Sequence, residues 1–114
     1  MIIKQEHKRR FTRIEVKAPF RYQIRGASEF RNTIADNISL GGIGFISDRF
    51  ISPATCLNME INILSRIINS VGRVVWAAPL PHSDRYRLGI EFLELNQLEK
   101  NYISDYINMQ TGNF

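Results

Sequence analysis

Arginine is the residue type whose placement in this sequence points most directly to chemistry. Arg9, Arg10 and Arg13 cluster in Lys8-Arg9-Arg10-Phe11-Thr12-Arg13. A guanidinium is a planar fork that meets a phosphate, or the O6 and N7 edge of guanine, through two parallel hydrogen bonds. Arg9 and Arg13 are four apart, so both reach one compact anion from a helical turn or a coil. Arg10 points elsewhere if the stretch is helical. A second unusual stretch is Asp36-Asn37-Ile38-Ser39-Leu40-Gly41-Gly42. Asp and Asn side chains bond back to nearby backbone, and paired glycines permit positive φ, so a polar turn is predicted.

Catalytic constellations do not emerge. His7 and His82 lie far apart and lack ligand-spaced partners, so no metal site is expected. Ser39 is not on a strand-to-helix elbow and reads as a turn residue bonded to backbone. Cys56 opens an apolar stretch and reads as a small buried hydrophobe. Gly41-Gly42 is not followed by the Gly-Lys-Ser/Thr of a phosphate-binding loop. Acidic residues are scattered. A binding protein with no enzymatic activity and no resident cofactor is expected.

The charge supports an anionic partner. Residues 1–25 hold eight basic and two acidic side chains, a net of +6, while residues 26–114 hold seven basic and nine acidic, a net of −2. A basic head on a nearly neutral body suits nucleotide phosphate, nucleic acid or a membrane surface, or simply a solubilising terminus. The chain has 114 residues, which predicts one domain. No apolar run approaches the ~20 residues of a membrane helix, and MIIKQEHKRR lacks the apolar core of a secretory signal. With one cysteine there is no internal disulfide framework, so a cytoplasmic location is expected.

Positioning these groups falls to strands. Two-residue alternation predicts strands over 16–24, 30–35, 43–47, 56–63, 67–77 and 86–92. In the fifth, Val71, Arg73, Val75 and Ala77 fall on one face and Gly72, Val74 and Trp76 on the other. The period then changes. Leu95, Leu98, Tyr102, Ile103, Tyr106 and Ile107 recur at three and four, an amphipathic helix with Asn96 as N-cap and Glu99 as the capping-box acid. It fades near Met109, with Thr111-Gly112-Asn113 as its end. Short strands with one apolar face bury it by closing into a barrel, which also removes the edges. The expected fold is all-β: a six-stranded antiparallel β-barrel with a C-terminal α-helix and a flexible basic N-terminal segment. A two-sheet sandwich is the structural rival. The expected divisions are 1–15 for the basic segment, 16–93 for the barrel and 94–110 for the helix.

The two polar stretches together resemble the motifs of the PilZ domain, the bacterial receptor for cyclic di-GMP. Arg9 to Arg13 gives an Arg-x-x-x-Arg. Asn37-Ile38-Ser39-Leu40-Gly41-Gly42 gives an Asp/Asn-x-Ser-x-x-Gly. Gly72-Arg73-Val74-Val75-Trp76 is similar to the family's late barrel strand, and Arg87-Leu88-Gly89-Ile90-Glu91-Phe92 with the following helix to its closing segment. The resemblance covers about residues 6–108. It implies a split-type six-stranded barrel with a C-terminal helix, in agreement with the strand tally. It also implies a ligand, the second messenger cyclic di-GMP. Arg9 and Arg13 would bind guanine edges and phosphates, with Arg10 beside them. Asn37 and Ser39 would bond the ligand from the barrel, and Gly42, helped by Gly41, would hold the turn and leave room. Ligand would order residues 1–15 over the barrel and make or mask a surface for a separate downstream protein. Two alternatives remain: an adaptor that has lost the ligand, and a small basic barrel for RNA or single-stranded DNA. The first is opposed by the intact motifs. The second is opposed by aromatics that alternate into the core, Phe20, Tyr22, Tyr86 and Phe92. No nucleic-acid partner and no membrane insertion are expected. A homodimer is left open, because the helix stripe can pack on its own barrel or on another copy.

Overall fold

The computed structural model describes residues 11–112. Six antiparallel strands close into a barrel: β1 (Ile14–Ile24), β2 (Phe30–Ile38), β3 (Gly42–Ser47), β4 (Cys56–Ile63), β5 (Arg66–Pro79) and β6 (Tyr86–Glu94). The order around the barrel is β1-β2-β3-β6-β5-β4. A helix, α1 (Gln97–Thr111), follows. The barrel, not the sandwich, is the answer. Its interior is filled from all six strands, with Phe20, Tyr22, Ile38, Phe45, Leu57, Ile61, Val74 and Leu88 almost wholly buried. Phe20, Tyr22 and Phe45 meet ring to ring, with centroids 4.9 to 5.4 Å apart, in the offset and edge-on arrangements that aromatic quadrupoles favour.

β4 follows the two-residue rule throughout: Leu57, Met59, Ile61 and Ile63 face in. Its turn to β5 is the dipeptide Leu64-Ser65, with φ of 50° and 69°. Two positive φ values make a turn whose twist matches the flanking strands. Pro19 lies just ahead of the β1–β4 ladder, which starts at Phe20.

The helix starts as the sequence predicts, with the Asn96 side chain accepting from the Glu99 N–H at 2.8 Å. The reciprocal half of the capping box is replaced. The Glu99 carboxylate accepts from the backbone N–H of Asn69 at 3.1 Å, tying the helix to β5. Glu99 therefore takes an inward position alongside Ile103 and Ile107, and Leu98 is left 71% exposed instead of joining the stripe. The Tyr102 hydroxyl donates to the Ile63 carbonyl at 2.8 Å and fixes α1 against the end of the β4–β5 hairpin. The helix runs to Thr111, and Gly112, at φ 78°, caps it by donating to the Asn108 carbonyl.

Three further expectations are corrected. β1 begins at Ile14, not at residue 16. β2 runs on to Ile38, so Asn37 stands on a strand and not in a turn. Trp76 does not share a face with Gly72 and Val74. β5 pairs Val74 with Ile90 and Trp76 with Gly89, so Val75 is an extra residue on one strand. Such a bulge inverts the alternation beyond it, which turns Trp76 outward, 46% exposed.

Candidate functional site

A second bulge positions the most polar part of the outer wall. Ala35 pairs with Phe45 and Asn37 with Gly44, so Asp36 is the extra residue on β2. Without it Asn37 would share the inward face of Ala35. With it Ile38 is the next buried residue and Asn37 faces out. Its amide lies on Gly44, where a Cβ would come within 2.5 Å of Nδ2. Gly44 is paired with Gly89 on β6. The Trp76 indole lies over Gly89 in the same way, with Nε1 only 2.3 Å from where a Cβ would stand. Two adjacent bare glycines thus seat an amide and an indole side by side.

Above this floor is an open groove of about 450 Å³ lined by Phe11, Arg13, Asn37, Ser39, Gly41, Trp76, Arg87 and Glu91 among others. Arg13 reaches it from just ahead of β1, and its Nη1 donates to Asn37 Oδ1. The Asn37 Nδ2 donates to Asp36 Oδ1 at 2.8 Å. Arg87 Nη1 donates to Asp36 Oδ2, also at 2.8 Å. Glu91 is held by Arg73, whose Nε donates to Oε2 at 2.8 Å and whose Nη2 meets the same oxygen. The carboxylates of Asp36 and Glu91 are thus each engaged by an arginine, which suits the groove to an anion.

The turn between β2 and β3 supports one rim. Ser39 is buried, and its Oγ accepts from the Gly41 N–H at 3.0 Å. Its own N–H donates to the Gly42 carbonyl, and Gly41 O accepts from Phe92 N, both at 2.9 Å. The glycines of this turn are not needed for positive φ: among the described glycines only Gly26 and Gly112 have it. They are needed for closeness. A Cβ on Gly42 would lie 1.8 Å from the Ile90 carbonyl oxygen, and one on Gly41 would lie 2.7 Å from the Phe11 ring. Gly41 is thus the seat of Phe11, and Gly42 lets β3 approach β6.

Of the seven site residues singled out from sequence, Arg13, Asn37, Ser39 and Gly41 line one groove, and Gly42 packs against the backbone of Ile90 and Glu91, which line it too. Arg9 and Arg10 lie outside the described residues. Sequence reasoning missed Asp36, Gly44, Trp76, Arg87 and Gly89 as parts of this wall. Gly44 and Gly89 carried a signal, since a glycine inside an alternating strand marks a close approach. Among the described residues no cluster of three His, Cys, Asp or Glu side chains is placed to hold a metal ion.

Residues 7–109 match the family model described as PilZ domain. The chain belongs to the PilZ domain family. Solved structures agree on the fold. The Bacillus subtilis inhibitor of motility MotI/DgrA superposes with a TM-score of 0.80 at 22% identity, covering 91% of this chain and 52% of that one. Escherichia coli YcgR in complex with c-di-GMP gives 0.76 at 16% identity, over 91% and 46%. The isolated PilZ domain of Escherichia coli YcgR with c-di-GMP gives 0.67 at 12%, over 94% and 99%. This PilZ domain therefore spans about half the length of the first two chains. No curated protein matches it in sequence.

Proposed function

We propose that this PilZ domain is a cytoplasmic receptor for cyclic di-GMP that binds the dinucleotide in the groove between Arg13 and Arg87. The observation that carries the reading is the contact between Arg13 and Asn37, which joins the two sequence motifs at one wall of that groove. Two of the similar structures are complexes with c-di-GMP, which supports the same ligand class here. The ligand has two phosphate charges and two guanines. Arg13 and Arg87 supply forks for phosphate or for the guanine O6 and N7 edge, each good bidentate base contact being worth about 1–3 kcal/mol. Arg9 and Arg10 add to them from the preceding segment. The exposed face of Trp76 offers a stacking surface, worth about 1–3 kcal/mol per base. With Oδ1 accepting from Arg13 and Nδ2 donating to Asp36, Asn37 keeps one lone pair and one N–H for a base edge. Ser39, Gly41 and Gly42 hold the turn that presents Asn37.

Binding moves residues 1–15 against the barrel, and that movement is the signal read by a separate protein. Calorimetric titration with cyclic di-GMP, against GTP and cyclic di-AMP, tests the ligand. Arg13→Ala and Asn37→Ala are each expected to lose roughly 30-fold or more in affinity, about 2 kcal/mol, with the thermal midpoint unchanged. Amide hydrogen exchange over residues 1–15 tests the relay and is expected to slow on binding. Equal heats from all three nucleotides, or full affinity in both variants, would reject the receptor. Unaltered exchange would reject the relay alone.

A further inference from the structure

Asp36 lies outside both sequence motifs, yet it is the residue that the bulge in β2 brings beside Asn37. In a regular strand, consecutive side chains point to opposite faces and cannot touch. Here the extra residue lets two neighbours share the outer wall, and they are hydrogen-bonded to each other at 2.8 Å. The direction of that bond matters. A carboxylate only accepts, so it draws the NH2 end of the Asn37 amide toward itself and turns the carbonyl end toward Arg13. Its second oxygen accepts from Arg87, which reaches it from β6, two strands away across β3. One carboxylate thus links three groove residues from three parts of the chain: Arg13 ahead of β1, Asn37 on β2 and Arg87 on β6.

We infer that Asp36 is a positioning residue for ligand recognition: its carboxylate fixes which end of the Asn37 amide faces Arg13 and holds Arg87 at the groove edge. The inference rests on the receptor reading above for its effect on affinity, but not for its effect on the amide. The rival idea is that Asp36 is merely a negative charge near an anionic ligand. The two differ in sign. Loss of a repelling charge tightens binding, whereas loss of an orienting carboxylate weakens it.

Two variants separate these outcomes. Asp36→Ala removes both acceptor oxygens. Asp36→Asn keeps one oxygen for the Asn37 amide and loses the partner of Arg87. Titration of the full chain with cyclic di-GMP is expected to show Asp36→Ala weakened roughly tenfold and Asp36→Asn recovered to within about threefold of wild type. Affinity in Asp36→Ala equal to or tighter than wild type would overturn the inference; equal weakening in both variants would overturn the orienting of the amide and assign the effect to the hold on Arg87. A second measurement needs no ligand. The side-chain NH2 pair of Asn37, assigned by its loss in Asn37→Ala, is followed by 15N-correlated NMR. It is expected away from the free-amide position in wild type and Asp36→Asn, and at that position in Asp36→Ala. An Asn37 signal that ignores Asp36→Ala would also overturn the inference. If wild type fails to bind cyclic di-GMP, the receptor reading falls, and the NMR comparison alone decides the role of Asp36.

Discussion

The wall built on β4 keeps one register on both sides: Phe20–Ile24 pair with Leu57–Ile61, and Cys56–Ile63 with Arg66–Arg73, without interruption. The wall that carries the groove does not. Register shifts occur between β1 and β2 in the Glu15–Ala18 stretch, between β2 and β3 at Asp36, and between β5 and β6 both at Val71–Gly72 and at Val75. The β4 wall buries alternate side chains and leaves Asn58, Glu60 and Asn62 on its outer face. The groove wall uses its bulges to turn Asn37 and Trp76 outward, over glycines that give up side-chain packing to seat them. The contrast is between a surface arranged for stability and one arranged for contact. The regular pleat serves the first, and departures from it serve the second.

The largest effects should divide along that line. Ile61→Ala on the β4 wall empties a fully buried position and is expected to cost about 2–5 kcal/mol of stability. Gly42→Ala drives a methyl onto the Ile90 carbonyl oxygen, a backbone atom that cannot swing away, and should cost on the order of 3 kcal/mol. Denaturant unfolding checks both. Under conditions where the protein remains folded, Ile61→Ala should keep its affinity for cyclic di-GMP. A ligand-specific loss in Ile61→Ala at full stability would erase the division.

Next in size are the two glycines of the groove floor. At Gly44 and Gly89 the atoms that a Cβ would meet belong to side chains, the Asn37 amide and the Trp76 indole. These can move, so the barrel should lose little, about 1 kcal/mol or less. The displaced groups are the proposed ligand contacts. Gly44→Ala and Gly89→Ala are each expected to weaken cyclic di-GMP roughly tenfold, about 1.4 kcal/mol. Thermal unfolding alongside titration separates the terms. For Gly89→Ala, tryptophan fluorescence should also shift, because Trp76 is the single tryptophan. A stability loss with unchanged affinity would mean that the glycines serve strand packing, as Gly42 does.

The same division explains what could be read from sequence. β4 was legible because Leu57, Met59, Ile61 and Ile63 follow the period without a break. The helix start was legible because Asn96 is a side chain of the right type one residue ahead of it. Arg13 and Asn37 were found as residues, through the spacing of their motifs, and they do meet. Their geometry was not legible. Nothing local to Asp36 or Val75 announces an extra residue; a bulge is defined by the strand opposite, which single-sequence periodicity does not see. Periodicity alone therefore puts Trp76 on the wrong face and makes Asp36 a turn former. Leu98 failed for a related reason. A polar residue, Glu99, takes the inward position because Asn69 offers it an N–H, a partner that lies thirty residues away.

The smallest expected effect lies inside the barrel. Tyr22 is buried on β1 and pairs with Met59 on β4, part of the regular wall. Burial raises the pKa of its phenol, and a hydrogen bond with Ser47 only partly offsets this. The unfolded chain, with an ordinary phenol, ionises first as pH rises. Above about pH 10 the native state then holds more protons than the unfolded state, and stability falls with pH until the native phenol also ionises. Below that range both states are protonated, and the contribution is fully present. Denaturant midpoints measured from pH 8 to 11 should therefore decline at the alkaline end, and Tyr22→Phe should flatten the decline. Tyr22 lines no part of the ligand groove. Tyr22→Phe should therefore leave the affinity for cyclic di-GMP at neutral pH unchanged, and a shift in that affinity would show that core and groove are coupled through the barrel wall.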